Sequence, residues 1–292
     1  MKDQAEALRR RLLERNRKPA KILAVVSGKG GVGKSNISIN FAVGLSRLGN
    51  KVLVLDLDMG MGNIHLLFGQ QVEKSIVDFV EKDSKIEELI IEGSEGVSCL
   101  FGGSGLGRLL DWKPVHFERW VSALERLQYE YDYLLFDMGA GATKESLELL
   151  IAAEEILVVT TPEPTAIMDA YSMMKYIHLK DQSKRFYLVC NRAETNHEGA
   201  ESAERLAIVM KRFLDKEISI LAILPEDVNV RKAVKRQIPF LVSYPNSTIS
   251  RSMEAMVKKY VFHIEEAPSI RKKANFISKL RYFFYERQRL NG

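Results

Sequence analysis

Cysteine is nearly absent from this chain: among 292 residues only Cys99 and Cys190 are present, each inside an apolar run. Two distant thiols exclude a disulfide framework and argue against a cysteine-ligated zinc or iron–sulfur site within one chain; buried thiols in a reducing cytoplasm are the expectation. No apolar run approaches the roughly 20 residues that a membrane-spanning helix needs, and the polar N-terminus does not read as a signal peptide. No repeat of fixed period and no low-complexity segment occurs. What remains, with 46% hydrophobic residues, is a globular chain long enough for one large domain or two small ones.

Charge is present in both signs but unevenly placed. Residues 1–21 carry eight Lys/Arg against three Asp/Glu, and residues 271–292 carry seven against one. The remainder carries 28 against 34, so the overall +5 describes two basic tails on an acidic body. Such tails favour anionic surfaces, lipid or nucleic acid.

Residues 28–35 read Gly-Lys-Gly-Gly-Val-Gly-Lys-Ser. Gly28, Gly33, Lys34 and Ser35 stand at the defining positions of G-x-x-x-x-G-K-[ST], and Lys29 adds a second lysine. An apolar, β-branched run precedes the loop at 21–27, and a helical pattern from Ile37 to Leu48, stopped by Gly49, follows it. That order is what phosphate binding needs. Glycine-rich backbone over Gly28, Gly30, Gly31, Val32 and Gly33 lets N–H groups wrap the phosphates, and the helix start at Lys34, Ser35 and Asn36 adds partial positive charge. Lys34 would reach the β- and γ-phosphates and Ser35 would ligate Mg2+.

Beyond the loop, near-continuous apolar strands alternate with helices. Strands are expected at 51–55, 97–101, 133–136, 156–159, 186–190 and 219–223. Helices are expected at 75–82, 85–91, 116–127, 144–152, 165–179, 200–214, 227–236 and 248–262. This pattern predicts an α/β fold, a mostly parallel doubly wound sheet flanked by helices, with ligands at the carboxyl ends of the strands. Three candidate polar groups sit at such ends. Asp56 and Asp58 lead into a glycine-rich turn, Asp137 precedes Met138-Gly139-Ala140-Gly141, and Asn191-Arg192 follow a strand. A strand-end Asp often only caps a turn. Beside a phosphate loop, these carboxylates suit a metal shell or water positioning, and Asp137-Met-Gly suits a Walker B aspartate with a glycine switch.

Lys29-Gly-Gly-Val-Gly-Lys34-Ser35 resembles the deviant Walker A motif of the MinD/ParA ATPases, and Asp56-Leu-Asp58, Asp137-Met-Gly139 and Asn191-Arg192 match later motifs of that family in order. The resemblance covers about residues 20–262. Within the family, Asp58-Met-Gly-Met-Gly-Asn63 and Asp3 to Arg11 look most like the FlhG group, also called YlxH or FleN. The resemblance implies an ATP-dependent sandwich homodimer in which Lys29 reaches the partner's nucleotide. It also implies catalytic roles for Lys29, Lys34 and Asp58, and a Mg2+ site at Ser35, Asp56 and Asp137. ATP or ADP would be held by residues 28–36, with Asn191, Arg192 and the Pro225-Glu226 turn around the base.

The tails set the expected partners. Phe276, Ile277, Leu280, Phe283 and Phe284 recur at helical spacing among Lys279, Arg281 and other basic residues. Such a helix suits an anionic bilayer interface, although the same pattern suits a helix packed on the body. The family likeness favours membrane targeting. Leu8 and Leu12 form a narrow stripe among arginines near Gln4, a segment expected to order only on a partner. The resemblance names that partner as the SRP-type GTPase FlhF, with Gln4 suited to orient a water, and adds flagellar switch-complex proteins. The expected organisation is a partner-activating segment at 1–20, an ATPase domain at 21–262, and a linker with a membrane helix at 263–292, Pro268 marking the linker. The expected function is an ATP-driven switch, cytoplasmic and reversibly membrane-bound, that controls flagellar number and placement.

Four other readings compete. A ParA-type partition ATPase would bind bulk DNA through a basic body, whereas this body is acidic. A metal-cluster carrier needs paired cysteines, and a tyrosine kinase of this fold needs a tyrosine-rich tail. A non-hydrolysing ATP adaptor would keep every phosphate contact.

Overall fold

Six-residue runs such as Lys21-Ile-Leu-Ala-Val-Val26 and Val52-Leu-Val-Leu-Asp-Leu57 are apolar on both alternating faces, which only a sheet covered on both sides can accommodate. A computed structural model of the chain describes residues 18–58, 64–69, 74–82, 84–102, 112–139, 144–266 and 275–291. Its strands are β1 (Lys21–Val26), β2 (Val52–Leu57), β3 (Ile91–Glu92), β4 (Ser98–Phe101), β5 (Tyr133–Met138), β6 (Glu155–Thr160), β7 (Arg185–Ala193) and β8 (Ser219–Pro225). They form one sheet in the order β3-β4-β2-β5-β1-β6-β7-β8. All pairings are parallel except that of β3 with β4.

The helices are α1 (Lys34–Arg47), α2 (Ile64–Leu67), α3 (Ile76–Glu81), α4 (Pro114–Glu130), α5 (Lys144–Ala152), α6 (Pro164–Lys180), α7 (Asn196–Leu214), α8 (Val228–Arg236), α9 (Phe240–Ser243), α10 (Thr248–Glu266) and α11 (Asn275–Asn291). The two-residue period of the strands divides the core into two layers. Leu23, Val25, Val54 and Leu135 pack against α1, α9 and α10 through Phe41, Phe240, Met253 and Tyr260. Ala24, Leu55, Leu134 and Phe136 pack on the other face against α4, α5, α6, α7 and α11. Proline at the first turn starts α4 and α6, where its missing N–H costs nothing. Thr195 caps α7 by accepting from the Glu198 amide at 3.1 Å.

The expected fold class is the observed one. Asp56 lies inside β2 rather than after it, because the strand runs two residues beyond its apolar stretch. The helix expected over 85–91 is a single 3-10 turn, Ile86–Leu89, and Ile91 instead opens the edge strand β3, paired with β4; the one-turn helix α9 carries no periodic signal. Residues 263–266, assigned by composition to a linker, continue α10; 267–274 lie outside the described residues.

The C-terminal stretch is a helix, as its period implies, and it is docked. Phe276, Ile277, Leu280 and Phe284 belong to the same core as β5 and α4. Phe284 stacks on Phe117 with centroids 3.7 Å apart, and Phe276 meets Phe136 edge-on at 5.3 Å. Lys279 pairs with Asp181 at 2.7 Å and Arg281 with Glu118 at 3.1 Å, while the Tyr285 hydroxyl donates to Glu118 at 2.9 Å. Phe283 is half-buried off this face and Tyr282 is exposed.

Candidate nucleotide site

The phosphate loop joins β1 to α1 at the carboxyl edge of the sheet. Gly33 takes φ 93°, a left-handed conformation that favours glycine, and turns the chain into the helix. At Gly28 a Cβ would come within 2.3 Å of the Asp169 carbonyl carbon in α6, so the loop can lie this close to that helix only with glycine there.

Behind the loop the site is built on one carboxylate. Asp137, with no exposed surface, accepts from Lys34 Nζ at 2.9 Å and from Ser38 Oγ at 2.6 Å through Oδ1. Its Oδ2 accepts from Ser35 Oγ at 2.7 Å. Asp56 stands beside it, directly paired in the β2–β5 register. Burial, then the charge of Asp137, pushes the Asp56 carboxyl up to about 7, against the pull of the Asp58 and Ile64 amides and of Lys34. Those amides donate to Asp56 at 3.2 and 3.4 Å. Asp58 lies beside Gly139, where a Cβ would stand 3.3 Å from Asp58 Oδ1.

Lys29 is half-exposed on the loop and donates to Glu163 Oε2 at 2.8 Å and Thr165 Oγ1 at 3.1 Å, both of its own chain. Hydrogen bonding to Lys29 holds the Glu163 carboxyl below its usual range. Glu163 and Thr165 carry no local sequence signal, because only the strand order, β6 beside β1, brings the start of α6 to the loop. Ser38 stands outside the phosphate-loop motif; its one signal is that it lies four residues after Lys34 on the same helix face.

The remaining site residues gather at the ends of β7 and β8. Asn191 is buried and donates from Nδ2 to the Val32 carbonyl at 2.8 Å, so its amide braces the phosphate loop. Arg192 takes φ 57°, a conformation uncommon for a non-glycine residue, and its guanidinium lies 3.9 Å from Glu226. Pro225 pairs with Ala193, and the Glu226 amide donates to Ala193 at 3.0 Å. The structure thus brings together every described candidate from Gly28 to Asn36 with Asp56, Asp58 and Asp137 on one side and Asn191, Arg192, Pro225 and Glu226 on the other. The C-terminal candidates lie elsewhere, on α11, and Gln4, Leu8 and Leu12 lie outside the described residues. Both cysteines are buried. Burial raises the Cys190 thiol to about 12 and the Cys99 thiol higher still, so neither offers a ready thiolate.

The ParA family profile, described as NUBPL iron-transfer P-loop NTPase, matches residues 18–261. The antiactivator FleN of Pseudomonas aeruginosa is 32% identical over 241 residues, covering 82% of this chain and 86% of that protein. The flagellum site-determining protein YlxH of Helicobacter pylori is 31% identical over 281 residues, covering 91% and 92%. Among solved structures, the cell division ATPase MinD of Pyrococcus furiosus superposes with a TM-score of 0.67 at 25% identity, over 84% of this chain and 99% of that one. A profile match across most of the chain and two relatives above 30% identity lead to one conclusion: the chain belongs to the ParA/MinD family of P-loop NTPases and is an ATPase.

Proposed function

We propose that this ATPase is a membrane-associating switch of the FlhG type, which dimerises on ATP and helps to set the number and placement of flagella. The observation that carries the membrane part is α11. Its apolar side chains Phe276, Ile277, Leu280 and Phe284 are covered by the body, and its cations Lys279 and Arg281 are matched by Asp181, Glu118 and Glu125. An anionic bilayer interface offers the same two features, an apolar layer and negative charge, so a modest free-energy change would exchange one for the other. The flagellar part is supported by the likeness to YlxH, a flagellum site-determining protein.

ATP or ADP would lie on the phosphate loop, with Asn191, Arg192, Pro225 and Glu226 around the base. The oxygen donors of Ser35, Asp137 and Asp56 are hard ligands of the kind Mg2+ takes, directly or through water, and the ion would neutralise phosphate charge there. Lys34 would hold the β- and γ-phosphates and Asp58 would orient the attacking water. Lys29 would leave Glu163 for the nucleotide of a second subunit. Hydrolysis would be slow and dimer-dependent. The N-terminal residues Gln4, Leu8 and Leu12 would engage the GTPase FlhF, and the body would meet flagellar switch-complex proteins.

Co-sedimentation with phosphatidylglycerol-containing vesicles, in ATP and in ADP, tests this reading on the intact chain and on Phe283→Asp. ATP-dependent binding that the substitution abolishes is expected. No binding in either state, with ATP-dependent binding to bulk duplex DNA instead, would replace it with a partition-type ATPase.

A further inference from the structure

Asp137 is held by three donors that are not equivalent. Lys34 Nζ and Ser38 Oγ share Oδ1, while Ser35 Oγ takes Oδ2. In a P-loop ATPase the lysine goes to the phosphates and the following serine to the metal. Both donors therefore have other partners once nucleotide is present. Ser38 sits one turn further along α1, with no exposed surface, and faces the carboxylate rather than the loop mouth.

Resting on the ATPase reading, we propose that Ser38 is a positioning residue that keeps Asp137 aligned for the metal when Lys34 and Ser35 turn to the nucleotide. By occupying Oδ1 it leaves Oδ2 as the oxygen that faces Ser35. The χ2 torsion of an aspartate is broad and nearly two-fold, so a buried carboxylate without a fixed donor has little to hold its plane. A carboxylate that loses a hydrogen bond inside protein also carries an uncompensated desolvation cost. Here that cost would be aggravated by Asp56, the register neighbour of Asp137 in β2. A serine one turn into a helix often bonds back to its own helix carbonyl instead. The 2.6 Å bond to Oδ1 places this hydroxyl on the carboxylate.

The effect belongs to the metal and not to the nucleotide, which separates it from ordinary core packing. Fluorescent-ADP titrations in excess Mg2+ and in EDTA read it directly on the wild-type chain, Ser38→Ala and Ser38→Thr. Ser38→Ala is expected to lose about tenfold or more of the Mg2+-dependent gain in affinity, the scale typical of residues that orient a metal ligand. Its affinity in EDTA should stay within about twofold of wild type, and Ser38→Thr should restore the gain. Thermal unfolding in EDTA checks the fold, and Ser38→Cys, of similar volume with a weaker donor, carries the same comparison if alanine destabilises the core. An equal loss in both buffers, or no loss in either, would overturn the role of Ser38. A wild-type chain that binds no ADP at all would overturn the ATPase reading first and this role with it.

Discussion

Glu155 illustrates what one buried group does to this fold far from the nucleotide. It opens β6 at the amino edge of the sheet, accepts from the Tyr260 hydroxyl at 2.7 Å through Oε2, and has Arg185 Nη1 3.3 Å from Oε1. Burial raises its carboxyl above the ordinary range, and Tyr260, Arg185 and Lys21 offset part of that rise. A raised folded-state pKa means that the folded chain holds the proton more tightly than the unfolded one. The stabilisation is complete below the unfolded value near 4 and is lost as pH rises through the folded value. Tyr260→Phe strips a donor from the ionised form. It should therefore cost about 1–3 kcal/mol at pH 7.5 and less near pH 4.5, measured by urea unfolding. An equal cost at both values would show that the bond does not depend on the charge. At this scale much was legible: Lys34, Ser35 and Asp137 are neighbours because a motif and a strand-end aspartate meet wherever this fold forms. Glu163 and Thr165 were not, since their partner Lys29 lies more than 130 residues away in sequence.

Among the elements, α11 separates pattern from environment. Its stripe of aromatic and aliphatic residues fits a bilayer and a protein groove equally, because both reward the removal of apolar surface from water. The structure fills the groove between α4 and α5 with it, while Lys279 and Arg281 meet acids of the body. The ion pairs are partly exposed and so contribute little beyond orientation. The buried side chains Phe276, Ile277, Leu280 and Phe284 hold the docking, with Phe284 stacked on Phe117. Truncating a buried phenylalanine to alanine typically costs about 3–5 kcal/mol, but a terminal helix can undock before the domain unfolds. Phe284→Ala should therefore speed amide exchange throughout α11 by at least about tenfold while β1 and β5 keep their protection. Uniform loss of protection across the sheet would mean that α11 is integral to the global fold rather than a detachable unit.

For the molecule as a whole, Lys29 is the test of the proposed assembly. In the single chain this lysine rests on Glu163. If it serves a second subunit, Lys29→Ala should stay monomeric with ATP while the wild-type chain shifts to dimer, as light scattering after size exclusion would report. ATP-bound dimers in both would remove that role. The chain's own pattern determined the parallel sheet, its helices and the loop at 28–35, because strand hydrophobicity, glycine placement and helix period act over a few neighbouring residues. Only the tertiary structure decided that Ser38 completes the cradle of Asp137, that Asn191 braces Val32, that Lys29 meets Glu163 and that α11 lies against the body. Those contacts depend on strand order and helix packing, which bring together residues that no local period relates.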